Sequence, residues 1–204
     1  MTTCYKQSVI IVLLGLLLFI APVLTVQSQN QVELKKGSPV DHLPDYIQMV
    51  SGFGERPDWS ADGKKILFVG EPMGQVYELE LASGLIFPKT RHYNHYGYTP
   101  AMYLPNGDIL LSGPIAPFDA ADRDERERAR NQSWLSILDK SGTKKPIPLN
   151  VICAEGPAVS RHRLKIGWAE RHLQNPNLDE NTAQLFAADI VYNQGKPEIA
   201  NKKM

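Results

Sequence analysis

Cysteine is nearly missing: two occur in 204 residues, Cys4 and Cys153. Cys4 precedes an apolar leader and is expected to leave with it. A single remaining thiol allows no disulfide framework, so stability has to come from a packed core. Cys153 lies in the strand-like stretch Asn150-Val151-Ile152-Cys153-Ala154 and reads as a small buried hydrophobe. No second Cys and no His pair stand near it at zinc-ligand spacing. An excess of charge is missing too, since 22 Lys and Arg balance 22 Asp and Glu. With no basic cluster interleaved with aromatics, a nucleic-acid partner is excluded. The chain has no Gly-x-Ser-x-Gly elbow, no glycine-rich phosphate cradle and no His-Glu-x-x-His helix. These absences leave no catalytic residue, no metal site and no cofactor that the sequence can name.

What is present begins with a leader. Residues 1–6 carry one positive charge, and Val9 to Val26 is uncharged and almost wholly apolar. Val26-Gln27-Ser28 then offers modest residues at the −3 and −1 positions of a signal-peptidase site. Residues 1–28 therefore read as a secretory signal peptide cleaved before Gln29. An uncleaved anchor over residues 9–26 is the rival reading, because a run of about 20 apolar residues spans a bilayer. Residues 29–43 read as a polar linker, disordered over Gln29 to Val40.

The rest of the chain repeats itself. Pro57, Pro100 and Pro157 each stand nine positions before an isoleucine (Ile66, Ile109, Ile166) that opens an apolar run. The first two copies place Asp62-Gly63 and Asn106-Gly107 between strand-like stretches, where a hairpin needs positive φ. The third has Arg161-His162-Arg163 there, a degenerate turn. Each copy is followed by a further strand ending at Gly84, Gly142 or Gly195. The copies lie 43 and 57 residues apart, against about 40–45 for a four-stranded propeller blade.

The first copy, Pro57-Asp58-Trp59-Ser60-Ala61-Asp62-Gly63-Lys64-Lys65-Ile66-Leu67-Phe68, resembles the Pro-x-Trp-Ser-Pro-Asp-Gly-Lys-x-Ile-Ala-Phe hallmark of TolB-like, WD-like β-propeller repeats. It departs at Ala61 and Leu67, where proline and alanine are usual. The resemblance runs from Gly52 to about Gly195 and weakens towards the third copy. It implies an all-β fold, a partial β-propeller of about three four-stranded blades over residues 44–204. It also implies that the Pro-x-Trp-Ser strand is innermost, with Trp59, Tyr103 and Trp168 packed between blades. Propellers take at least about four blades to close, so further blades beyond Met204, or several copies completing a ring, are expected.

Two insertions interrupt the repeats. Residues 119–130 read as a helix charged on every face, supported by Asp122–Arg126 and Asp124–Arg128 pairs four apart. It reads as a solvated decoration, with a partner-binding arm as the alternative. The second insertion, His172 to Thr182, is a polar loop. Asn131-Gln132-Ser133 fits a glycosylation sequon, relevant only in a eukaryotic host.

Candidate ligand-binding residues fall in two places. Arg91-His92-Tyr93-Asn94-His95-Tyr96-Gly97-Tyr98 joins the first two blades. Placed near a channel mouth, His92 and His95 could ligate a metal or shuttle protons, and Tyr98 could stack on a sugar ring. Glu55, Arg56 and Glu155 precede inner-strand prolines, which puts them near a channel mouth as well. The resemblance implies an exported, non-catalytic platform for a protein, peptide or glycan, in the periplasm or outside the cell. The enzyme alternative is a carbohydrate-active propeller like the oligogalacturonide lyases, which use channel-mouth histidines and a divalent metal.

Overall fold

A computed structural model describes residues 36–154 and 156–204. The leader, residues 29–35 of the linker, and Glu155 lie outside the described residues. The chain divides into two compact units, residues 1–47 and 48–204. In the first, Pro39–His42 forms a 3-10 turn, while most of the tether expected over Gln29 to Val40 lies outside the described residues. Its N-cap Ser38 accepts from Val40 N, while the Asp41 carboxylate accepts from Ser38 N at 3.0 Å. That reciprocal capping box holds the turn.

The second unit is three four-stranded antiparallel sheets, each an uninterrupted meander. The first blade comprises β1 (Glu55–Trp59), β2 (Lys65–Val69), β3 (Val76–Glu80) and β4 (Ile86–Pro88). The second comprises β5 (Ala101–Tyr103), β6 (Ile109–Gly113), β7 (Ser133–Leu138) and β8 (Ile147–Cys153). The third comprises β9 (Ala158–Val159), β10 (Lys165–Glu170), β11 (Gln184–Asn193) and β12 (Lys196–Lys203). This is the blade unit of a β-propeller, three times over, as the repeat spacing predicts. The described residues thus hold three blades, where a closed ring takes about 4–8.

Turn chemistry sets the meander. Gly63 and Gly107 carry φ of 69° and 89°, while Asp62 and Asn106 do not enter the left-handed region. Their side chains work instead, accepting from the backbone two residues on: Lys64 N to Asp62 at 3.1 Å, and Asp108 N to Asn106 at 3.2 Å. The degenerate third turn uses Ser160 Oγ in the same way, accepting from His162 N and Arg163 N.

Blades meet through alternate residues of their strands. Leu67, Val76, Tyr98, Ala101, Tyr103, Ile109, Leu111 and Leu138 fill the seam between the first and second blades. Leu104, Leu135, Ile166, Trp168 and Ile190, with a fully buried Cys153, fill the seam between the second and third. Tyr103 and Trp168 are packed as expected, but Trp59 is 52% exposed. The pleat explains the correction. Asp58 points towards the second blade, where it accepts from Tyr103 N at 2.7 Å. Trp59 must then face the other way, beside Ile66, Phe68 and Leu79, on a side that no described blade covers.

The charged insertion does form a helix, α1 (Arg123–Asn131). Asp122 is its N-cap, accepting from Asp124 N and Glu125 N at 2.8 and 3.2 Å. The two expected four-apart ion pairs do not form. Asp122 is spent on capping, Arg126 donates to Ala120 O at 2.9 Å, and Arg128 lies 3.8 Å from Glu125. Nor does the helix simply project into solvent, because its last turn is half-buried. Ser133 Oγ donates to Arg130 O at 2.9 Å. The second insertion meets it there, through a hydrogen bond from the Gln174 amide to Asn131 O.

Candidate functional site

In a meander each strand reverses direction, so the starts of β1, β5 and β9 share one end of the sheets with every connection between second and third strands. In the first blade that connection is the short loop 70–75. In the second it is the stretch carrying α1, and in the third it is the polar insertion. The repeat therefore brings the residues before Pro57, Pro100 and Pro157 together. Arg56, Thr99 and Gly156 line one cavity of about 240 Å³, with Arg130 of α1 as its fourth wall. An adjoining cavity of about 390 Å³ is lined by Glu55, Arg56, Pro72, Met73, Thr99, Arg123, Arg126, Glu127 and Arg130.

Helical spacing aims the arginines. Arg123, Arg126, Glu127 and Arg130 stand at i, i+3, i+4 and i+7, which is one face of a helix. The opposite face, with Glu125, Arg128 and Ala129, borders a separate hollow against Pro114 to Phe118, Trp134 and Ile152. The backbone is strained where it meets the larger cavity. The β1–β2 register shifts between Glu55 and Asp58, and Arg56 takes φ of 53° within that bulge. Met73 has φ of 58°. Left-handed non-glycine residues cost of order 1–2 kcal/mol and cluster at binding sites. Gly97 fixes the Met73 wall, since a Cβ there would stand 1.7 Å from Met73 O. Tyr98 N donates to Gly74 O at 2.9 Å beside it.

Of the candidates named from the sequence, the structure brings Glu55 and Arg56 into this site, their side chains 3.6 Å apart. Glu155 is not described, although its neighbour Gly156 lines the smaller cavity. The histidine segment lies elsewhere. His92 Nε2 is 3.0 Å from Lys144 O, in the hairpin joining the outer strands of the second blade. His95 Nδ1 accepts from Gly97 N at 2.9 Å, and burial holds the imidazole below its ordinary value. Tyr98 is buried in the first seam, its hydroxyl 3.0 Å from that of Tyr93, and burial pushes it up to about 12. His95 and Tyr98 help line a third, more apolar hollow with Tyr93, Tyr96, Pro114 and Trp134. Among the described residues no group of three or more His, Cys, Asp or Glu is placed to hold a metal ion.

Sequence reasoning missed Thr99, Met73, Arg123, Arg126 and Arg130. The arginine spacing was a visible signal. Charge on the remaining faces of the helix concealed it.

The seam between the first two blades treats its charges differently. Glu78 is 8% exposed and takes the Tyr103 hydroxyl at 2.7 Å, Lys65 Nζ at 2.9 Å and Lys89 Nζ at 3.6 Å. Burial pushes the Glu78 carboxyl up, but Tyr103, Lys65 and Lys89 together hold it below its ordinary value. Arg161, from the degenerate turn of the third blade, reaches across to Asp58 with both guanidinium nitrogens, one of them at 3.1 Å. At this opposite end of the inner strands, the buried Asp58 and Glu78 are both met by cations.

Three meander blades with a pocket over their inner-strand starts define a partial β-propeller. No protein-family model matches the sequence, and no curated protein does. Among solved structures, TolB from Acinetobacter baumannii is similar at 19% identity over 74% of this chain and 34% of that one, with a TM-score of 0.48. A putative TolB from Agrobacterium tumefaciens is similar at 13% identity over 76% of this chain and 52% of that one, with a TM-score of 0.46. A puromycin hydrolase follows at 14% identity over 66% of this chain and 18% of that one, with a TM-score of 0.40. The chain thus spans 34% of one TolB structure and 52% of the other. The propeller assignment stands on its own three sheets.

Proposed function

We propose that this chain is an exported, non-catalytic binding module whose ligand site is the pocket over the inner-strand starts. The observation that carries the reading is the convergence of Arg56, Thr99 and Gly156. The same position in three successive repeats lines one cavity, and an inserted helix walls it in. Clefts of about 300–1,000 Å³ with a few convergent polar groups are where proteins hold ligands, and strain at Arg56 and Met73 falls at this spot. Export is supported by the composition of residues 1–28; no helix among the described residues is long and apolar enough to cross a membrane. The lyase alternative draws on His92 and His95, each of which has one ring nitrogen in a hydrogen bond to the main chain, with Lys144 O and Gly97 N respectively.

A panel of labelled peptides and oligosaccharides, applied to the immobilised full chain, tests this. Retention of a ligand that is lost with Arg56→Ala and with Arg130→Ala supports the reading. Turnover of any oligosaccharide, or retention indifferent to both substitutions, contradicts it.

A further inference from the structure

From the arrangement of its arginines we infer that the pocket is a carboxylate receptor, and that its ligand is an acidic peptide. This rests on the binding reading of the same pocket. Among the described residues lining the larger cavity, four arginines face two glutamates. A guanidinium in a folded protein is ordinarily matched by a carboxylate or by carbonyl oxygens, as Arg161 is by Asp58. The pocket arginines are not matched in this way. Arg123 and Arg130 have no acidic partner among the described residues, Arg126 has the single carbonyl of Ala120, and Arg56 has only its neighbour Glu55.

Arg130 is the sharpest case. Its Nε is buried away from solvent and has no hydrogen-bond partner. A buried donor left unmade is destabilising, and more so when charged. Arg130 as a residue lines both cavities, so its side chain borders the space an anion would enter. The forked geometry of guanidinium matches a planar carboxylate through two parallel hydrogen bonds, so a carboxylate fits better than a neutral group.

The lining also separates peptide from sugar. Among the described residues neither cavity has an aromatic residue in its wall, so these walls offer a uronate ring no face to stack on. The tyrosines suited to that task line another hollow. Pro72, Met73 and the arginine stems offer aliphatic surface instead, which suits the spacing chain of a glutamate or aspartate.

The test uses the full chain and fluorescein-labelled hexaglutamate, read by fluorescence anisotropy. Binding is expected to weaken as salt screens the charges, and to fall by about tenfold or more in R130Q and again in R123Q. R130K keeps the charge and loses the fork, so it should fall between R130Q and the native chain. Lys196→Gln, which removes one charge from the outermost strand, should leave affinity unchanged. Hexaglutamine should not compete. Competition by hexagalacturonate equal to that by hexaglutamate would overturn the peptide assignment. No hexaglutamate binding, or binding indifferent to R123Q and R130Q, would overturn the carboxylate receptor. A neutral ligand retained in an Arg56-dependent manner would still leave the binding reading standing, so the two failures are distinguishable.

Discussion

The seam between the first two blades and the pocket over their inner-strand starts are built from the same residue types, yet they treat charge in opposite ways. In the seam, Glu78 is shared by Tyr103, Lys65 and Lys89, and Asp58 by Arg161 and a backbone amide. In the pocket, Arg123 and Arg130 form no ion pair among the described residues, although Glu55 and Glu127 line the same cavity. Removing one partner of a matched buried group leaves the others stranded, so seam charges hold the fold. Unmatched charges at a cavity contribute little to folding and remain available to a ligand. Stability and binding should therefore be separable by mutation.

The largest effects should come from the seams. Trp168 is 3% exposed, stacked with Phe186 at 5.5 Å and bonded through its indole nitrogen to Glu170. Trp168→Ala should lower unfolding free energy by about 3–5 kcal/mol in denaturant melts. Trp59→Ala, on the uncovered side of the first blade, should cost below about 1 kcal/mol. Equal losses would mean that something covers Trp59 in solution.

Glu78→Ala comes next, at about 3 kcal/mol, because it strands the Tyr103 hydroxyl and two lysines. A cost under about 1 kcal/mol would reduce this network to surface pairing. Acid should expose the same network. The His95 imidazole and the Glu78 carboxyl are both held below their ordinary values of 6.5 and 4.5. Each therefore contributes stability that is complete above that ordinary value and is lost as pH falls towards the folded one. Stability should decline in two stages on acidification, the first below pH 6.5 and the second below pH 4.5. Glu78→Gln should reduce the second stage, to which Asp62, Asp139 and Asp189 also contribute, and leave the first; a profile unchanged by that substitution would contradict the assignment.

The smallest stability effects should be at the pocket. Arg123→Gln and Arg126→Gln should move the unfolding free energy by no more than about 0.5 kcal/mol, as exposed substitutions do. A cost of several kcal/mol for either would show that α1 belongs to the folding core, and the separation of roles would fail.

Much of the fold was legible because a blade is a local object. A proline nine residues before an isoleucine, a turn dipeptide and a glycine-terminated strand lie within one stretch of chain, and each repeats. The pocket was half legible. Glu55 and Arg56 could be placed at the strand starts because the repeat itself says where strands begin. Thr99, Met73 and Arg130 come from a crossover, a short loop and an insertion that become neighbours only when three blades pack. The histidine segment drew attention by its composition; one nitrogen of each ring meets the main chain, at Lys144 O and Gly97 N. Trp59 was misplaced because the hallmark gives a strand its position and not the blade that covers it.

The separation of roles is tested most directly by measuring stability and hexaglutamate affinity together on two full-length variants, Glu78→Gln and Arg130→Gln. The seam variant should lose stability and, while folded, bind hexaglutamate like the native chain. The pocket variant should melt no lower than the native chain, having lost an unmatched buried donor, and lose about tenfold or more in affinity. If both variants lose both properties, or if Arg130→Gln loses stability and keeps affinity, matched and unmatched charges do not divide the work and the account is wrong.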